Sequence, residues 1–107
     1  MATTYKILGQ QAPSTTGAVL YTAPAAGSAV ISTIVVTNIA ATSKTFRVLV
    51  RSGSTHGNQN HLAYDTAVPA NDSIVMTMGI TISGSSQIVV SGSDANVIFN
   101  AFGSEIT

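Results

Sequence analysis

Along 107 residues the apolar side chains never recur at helical spacing over a helix length; they come in short runs, broken every few residues by Gly, Pro, Asn, Asp or Ser. Runs of this kind, rich in Val, Ile and Thr, read as strands. Thr4 to Leu8 predicts a first strand and Gln10 to Gly17 a loop. Ala18 to Thr22 predicts a short strand, stopped by Pro24 and Gly27. Ala29 to Asn38 carries apolar side chains in both alternating positions, which predicts a strand buried on both faces. Thr45 to Arg51 alternates: Phe46, Val48 and Val50 share one face, and Thr45, Arg47 and Arg51 the other with Leu49, so this strand is half-exposed. Ser52 to Asn60 reads as a polar loop. Leu62 to Thr66, Ser73 to Met78, Ile80 to Ser83, Gln87 to Ser91 and Val97 to Phe102 read as further strands, with a bulge expected at Gly79. Pro69-Ala70-Asn71-Asp72 and Gly84-Ser85-Ser86 are turns.

Seven or eight short strands in one chain of domain length predict an all-β fold: a single antiparallel β-sandwich or jelly-roll-like domain spanning residues 1–107. Phe46 and Phe99 are expected in the core, and so are Met76 and Met78, which share one strand face.

Charge is the next constraint. Only Lys6, Lys44, Arg47, Arg51, Asp65, Asp72, Asp94 and Glu105 are charged, 7% of the chain with a net of zero, against about a quarter in an ordinary soluble domain. The surface is therefore made largely of Ser, Thr, Asn, Gln, Gly and Ala, groups that desolvate far more cheaply than ions. Such a surface favours life packed against neighbours. Four scattered basic residues offer no phosphate-binding cluster, which argues against nucleic acid. The apolar stretch around Ile31 to Val36 is too short to cross a membrane, and the first ten residues show no secretory pattern.

Chemistry finds little purchase. With no Cys, thiol nucleophiles, disulfides and Cys-ligated zinc are ruled out. His56 and His61 flank a polar run with Asp65 beyond it, but no further ligand completes a metal set. No Gly-x-Ser-x-Gly elbow and no Gly-x-x-x-x-Gly-Lys loop occurs. We expect no catalytic residue, no metal and no cofactor. The run Asn58-Gln59-Asn60 with His56, His61 and Tyr64 forms the candidate exposed-loop contact. Tyr64 with Asp65 and this loop is the one place suited to a glycan, the alternative reading of the chain as a host-adhesion module.

Several stretches carry a resemblance: Tyr5-Lys6-Ile7-Leu8-Gly9-Gln10 and Leu20-Tyr21-Thr22-Ala23-Pro24 near the start, Ala63-Tyr64-Asp65, Pro69-Ala70-Asn71-Asp72 and Gly79-Ile80-Thr81-Ile82 between, and Phe102-Gly103-Ser104-Glu105-Ile106 at the close. With these the chain resembles, end to end, small virion structural proteins of tailed bacteriophages, common among phages of cyanobacteria and other aquatic bacteria. The resemblance implies a β-sandwich subunit of a phage particle, assembled in the host cytoplasm. A capsid decoration or cement protein, bound to the major capsid protein, is the leading expectation. A neck, tail or fibre component is the second.

Self-association is expected as well. The strands near both ends lie where sheet edges commonly occur, and an uncharged edge invites a second copy. Tyr5, Lys6, Phe102 and Glu105 are the candidate interface, in a homotrimer first and a dimer second; the threefold follows from the resemblance alone.

Overall fold

The structure, a computed structural model, describes residues 2–12, 17–52 and 57–107. Eight strands run among them: β1 (Thr3–Gln11), β2 (Ala18–Thr22), β3 (Ser28–Asn38), β4 (Lys44–Arg51), β5 (His61–Val68), β6 (Ser73–Ser83), β7 (Gln87–Gly92) and β8 (Val97–Ile106). A 3-10 turn, Asn58–Asn60, precedes β5. The strands form two four-stranded sheets, in the orders β1-β8-β3-β6 and β2-β7-β4-β5. Every strand pair is antiparallel.

That order follows from one long folded-back ribbon. β4 pairs β5, β3 pairs β6, β2 pairs β7 and β1 pairs β8, so successive pairs nest outward from the β4–β5 end. Rolling the ribbon adds the β3–β8 and β4–β7 contacts and closes two facing sheets. This is the jelly roll, a double-sheet all-β architecture built by folding such a ribbon over on itself. The resulting slab measures 45 × 28 × 18 Å.

Alternation fills the space between the sheets. Ala29, Ile31, Ile34 and Val36 of β3, Val97, Phe99 and Ala101 of β8, Phe46 and Val48 of β4 and Ile88 and Val90 of β7 are all buried. Phe46 and Phe99 meet edge to face across the sheets, ring centres 6.0 Å apart. Met76 packs against this core from β6, whereas Met78 is only half-buried and stands outside it. β3 is buried on one face and half-exposed on the other, not on both as its composition suggests. Its second set of apolar residues, Val30 and Val35, lines the outside of the first sheet. β1 runs through Gln10 and Gln11, residues whose polarity reads as loop, because their backbone groups pair with Asn100 and Phe99 of β8.

Bulges adjust the alternation. Between β2 and β7 the register shifts at Val19/Tyr21, which lets the consecutive Leu20 and Tyr21 both enter the core. β1 shifts at Ile7/Gly9 against β8. At Gly9 a Cβ would stand 2.0 Å from the Leu20 carbonyl oxygen, so only glycine lets β1 pass this close to β2. The expected bulge at Gly79 is present: β3 advances two residues from Ile31 to Thr33 where β6 uses three, from Ile80 to Thr77.

One expectation is corrected. The two terminal strands are not both edges. β1 is an edge, but β8 is interior, hydrogen-bonded to β1 on one side and β3 on the other. The chain ends are stitched together, with Ala2 and Thr107 exchanging backbone hydrogen bonds at 2.8 and 3.0 Å.

Candidate interaction surfaces

The outward residues of the first sheet form cross-strand rows. Ile7, Phe102, Thr33 and Thr77 make one row; Tyr5, Ser104, Val30 and Thr81 the next; Gln10, Asn100, Val35 and Val75 a third. Not one of these is charged, and the rows beyond them (Thr3-Ile106-Ser28-Ser83, and Ile98-Thr37-Ser73) are uncharged too. Tyr5 is 83% exposed, Val75 61% and Ile7 54%. A shallow groove between Tyr5, Ile7, Val30, Ser32 and Phe102 runs across the face, with Lys6 also at its lining. At its margin lies β6, eleven residues from Ser73 to Ser83 with no charge, ending the sheet order with its outer edge open.

Of the four residues expected at an interface, Tyr5 and Phe102 stand on this face. Lys6 and Glu105 pair with each other instead, at the end of the sandwich: Lys6, exposed beside the groove, meets Glu105 Oε1 with its Nζ at 3.0 Å. From the second sheet the Tyr21 hydroxyl donates to Glu105 Oε2 at 2.5 Å. The hydrogen bonds from Tyr21 and Lys6 hold the Glu105 carboxyl below its ordinary range. Burial, and then the carboxylate beside it, pushes the Tyr21 phenol well above its ordinary value. This trio clamps β1, β8 and β2 together from within one chain.

The second sheet has a different outer face. β5 pairs β4 irregularly: Phe46 faces Thr66 and Val48 faces Ala63, so Tyr64 and Asp65 both stand opposite Arg47. Asp65 reaches this position with φ at 49°, in the left-handed region. Arg47 Nε and Nη2 donate to the two Asp65 carboxylate oxygens at 2.7 and 3.2 Å. The same guanidinium lies 4.0 Å from the centre of the Tyr64 ring. The His61 ring meets Tyr64 edge to face at 4.9 Å. Arg47, through its hydrogen bonds first, holds the Asp65 carboxyl below the ordinary carboxylate range. Beside the pair lies a cleft of about 260 Å³, lined by Thr45, Phe46, Arg47, Asp65, Ser91, Gly92 and Ser93.

The polar loop divides. Asn60 braces the loop: its Oδ1 accepts from Gly57 N at 2.8 Å and its Nδ2 donates to the Val50 carbonyl at 2.7 Å. Tyr64, 56% exposed, and His61 join the Arg47–Asp65 cluster. His56 and the Asn58 side chain lie outside the described residues. Sequence reasoning missed Arg47 as the partner of Asp65; its place on the exposed side of an alternating strand was the available signal. Among the described residues no three His, Asp or Glu side chains gather as a metal site would need.

Comparison with protein-family models, with curated proteins and with solved structures finds no match to this chain.

Proposed function

We propose that this chain is a non-catalytic structural subunit of a tailed-phage particle, a capsid decoration or cement protein that adds contacts over the major capsid protein. The observation that carries the reading is the outer face of the first sheet, whose outward rows carry no charge and which has only the Glu105-paired Lys6 at its groove, bordered by the uncharged open edge of β6. Four strands about 4.8 Å apart and about ten residues long give a face of roughly 600 Å². A standard interface buries about 800 Å² on each side, so the face together with the β6 edge reaches the size a lasting contact needs. The one ion at the groove, Lys6, is already paired with Glu105, so no unpaired charge has to be desolvated to cover the face. The open edge of β6 would take an added strand. A second copy of the chain fits both surfaces without charge conflict, which keeps the homo-oligomer, trimer or dimer, within the proposal.

The test is the particle. Reconstruction of the virion is expected to place the chain on the capsid shell, and quantitative mass spectrometry to count a few hundred copies. Val75→Lys, which puts a charge on the face beside its open β6 edge, is expected to abolish incorporation while leaving the fold intact. Location on the tail alone, with a few copies per particle, would replace this reading with that of a neck, tail or fibre component. Sedimentation of the isolated chain at micromolar concentration tests self-association separately, and a persistent monomer would end that part.

A further inference from the structure

The opposite sheet carries a second, chemically different feature that a docking role leaves unused. Arg47, Tyr64, Asp65 and His61 form one contiguous cluster on the outside of β4 and β5, beside the Thr45–Ser91–Ser93 cleft. Its construction is costly. The irregular pairing of β5 sets two residues against one, and Asp65 is held at positive φ. Bulges re-aim side chains, and a left-handed non-glycine residue stores strain that some gain elsewhere must offset. Here the gain is that an aromatic ring and a carboxylate project side by side over one guanidinium.

We infer that this cluster is a binding site for a neutral saccharide. Two of the five guanidinium N–H donors of Arg47 go to Asp65, which leaves three for a ligand. The two carboxylate oxygens of Asp65 keep further acceptor capacity. A pair of neighbouring sugar hydroxyls, each both donor and acceptor, can bridge such a planar ion pair, donating to Asp65 and accepting from Arg47. The Ser91, Ser93 and Thr45 side chains around the cleft supply more hydroxyl partners. Tyr64, 56% exposed even with Arg47 against its ring, offers apolar carbon to the C–H side of a sugar ring. An anionic ligand fits less well, because Asp65 already neutralises Arg47 and would repel a second carboxylate or phosphate. The cleft, about 260 Å³, lies below the roughly 300 Å³ at which drug-sized pockets begin, so it takes one sugar unit of a longer chain. A single site of this kind is weak. Repeated copies on one surface would raise the avidity by about 10² or more.

The site lies on the sheet opposite the proposed docking face, so it stands or falls independently of where the chain sits in a particle. The experiment is an amide NMR titration of the full chain. The probes are the methyl glycosides of glucose, galactose and mannose, short oligosaccharides of each, and glucuronate as an anionic comparison. At least one neutral probe is expected to shift Arg47, Tyr64, Asp65, Ser91 and Ser93 selectively. Tyr64→Ala and Asp65→Asn are each expected to weaken that binding about tenfold, the loss of one hydrogen bond to a charged group or its equivalent in contact. Asp65→Asn suits the test because Asn tolerates the left-handed backbone, so the fold is retained. Absence of a selective shift with every neutral probe, preference for glucuronate, or unchanged binding in both variants would each overturn the assignment.

Discussion

Asn38 is 1% exposed and the single buried polar side chain among the described residues, so its removal has a cost that can be worked from its partners. Its Nδ2 lies 2.9 Å from the Thr42 carbonyl, 3.1 Å from that of Val68 and 3.2 Å from that of Pro69. Its Oδ1 accepts from Ala40 N at 2.9 Å. One amide thus ties the β3–β4 turn to the β5–β6 turn. Asn38→Ala removes two donors and one acceptor. At about 1 kcal/mol for each satisfied group the loss is about 3 kcal/mol. It stays near that figure because Val68 O keeps the Ser43 hydroxyl at 3.3 Å. For a domain of this size the melting temperature should fall by about 15 °C. Asn38→Asp is the sharper test. It keeps the shape but turns an oxygen toward three carbonyl oxygens, which raises the folded pKa of the new carboxyl above its unfolded value of about 3.9. The variant is then least impaired below that value, and its deficit against wild type grows as pH rises through the folded pKa. Urea unfolding followed by circular dichroism, each variant referenced to wild type at the same pH, measures both effects. A loss under about 1 kcal/mol for Asn38→Ala, or a pH-independent deficit for Asn38→Asp, would refute the reasoning.

The end clamp makes its own pH prediction. Because the Glu105 carboxyl is held below its ordinary value, its contribution is complete above the unfolded pKa and disappears as pH falls through the folded one; Glu105→Gln should flatten that acid limb in a pH series of melting temperatures. The Tyr21 phenol is raised, so its contribution is complete below its unfolded pKa of about 10 and is lost as pH climbs beyond it. Tyr21→Phe should remove that alkaline limb, at a cost of about 1–2 kcal/mol at neutral pH, read by chemical denaturation. Gly103→Ala should destabilise by about 3 kcal/mol or more, since a Cβ there meets the Val30 carbonyl oxygen at 2.0 Å in the middle of the β3–β8 pairing; loss of soluble protein or a melting temperature near ambient would show it.

Strand identity was legible because β-branched runs and turn residues are local signals. The positions of Phe46 and Phe99 followed from alternation within their own strands. Strand order was not legible, since nothing in the alternation of β8 says which strands flank it. Its place near the end of the chain suggested an edge, yet β1 covers one side of it and β3 the other. The Arg47–Asp65–Tyr64 cluster was half legible. Tyr64 and Asp65 stood out as an exposed pair, but bringing both to Arg47 needed a bulge and a left-handed residue that only the pairing of β4 with β5 reveals. The face was hidden differently: composition announced few charges without saying that the outward rows of one sheet carry none.

Where those few charges went suggests why. Six of the eight form three ion pairs, Lys6–Glu105, Lys44–Asp94 and Arg47–Asp65, and each joins segments that neighbour one another only after folding. Strands built from Val, Thr, Ser and Ile resemble themselves after a shift of two residues, so their side chains alone specify register poorly. An ion pair broken by such a shift leaves two ions misplaced, and a bulge admits its extra residue at one position only. Five of the six strand pairings contain a register break; the sixth, β4 with β7, runs unbroken between strands flanked by the Lys44–Asp94 and Arg47–Asp65 pairs. Charge is therefore deployed to fix pairing, and little is left to keep copies apart in solution. A chain whose ions are used this way leaves the outward rows of its first sheet with hydroxyl, amide and hydrocarbon groups, and such a face is suited to being covered.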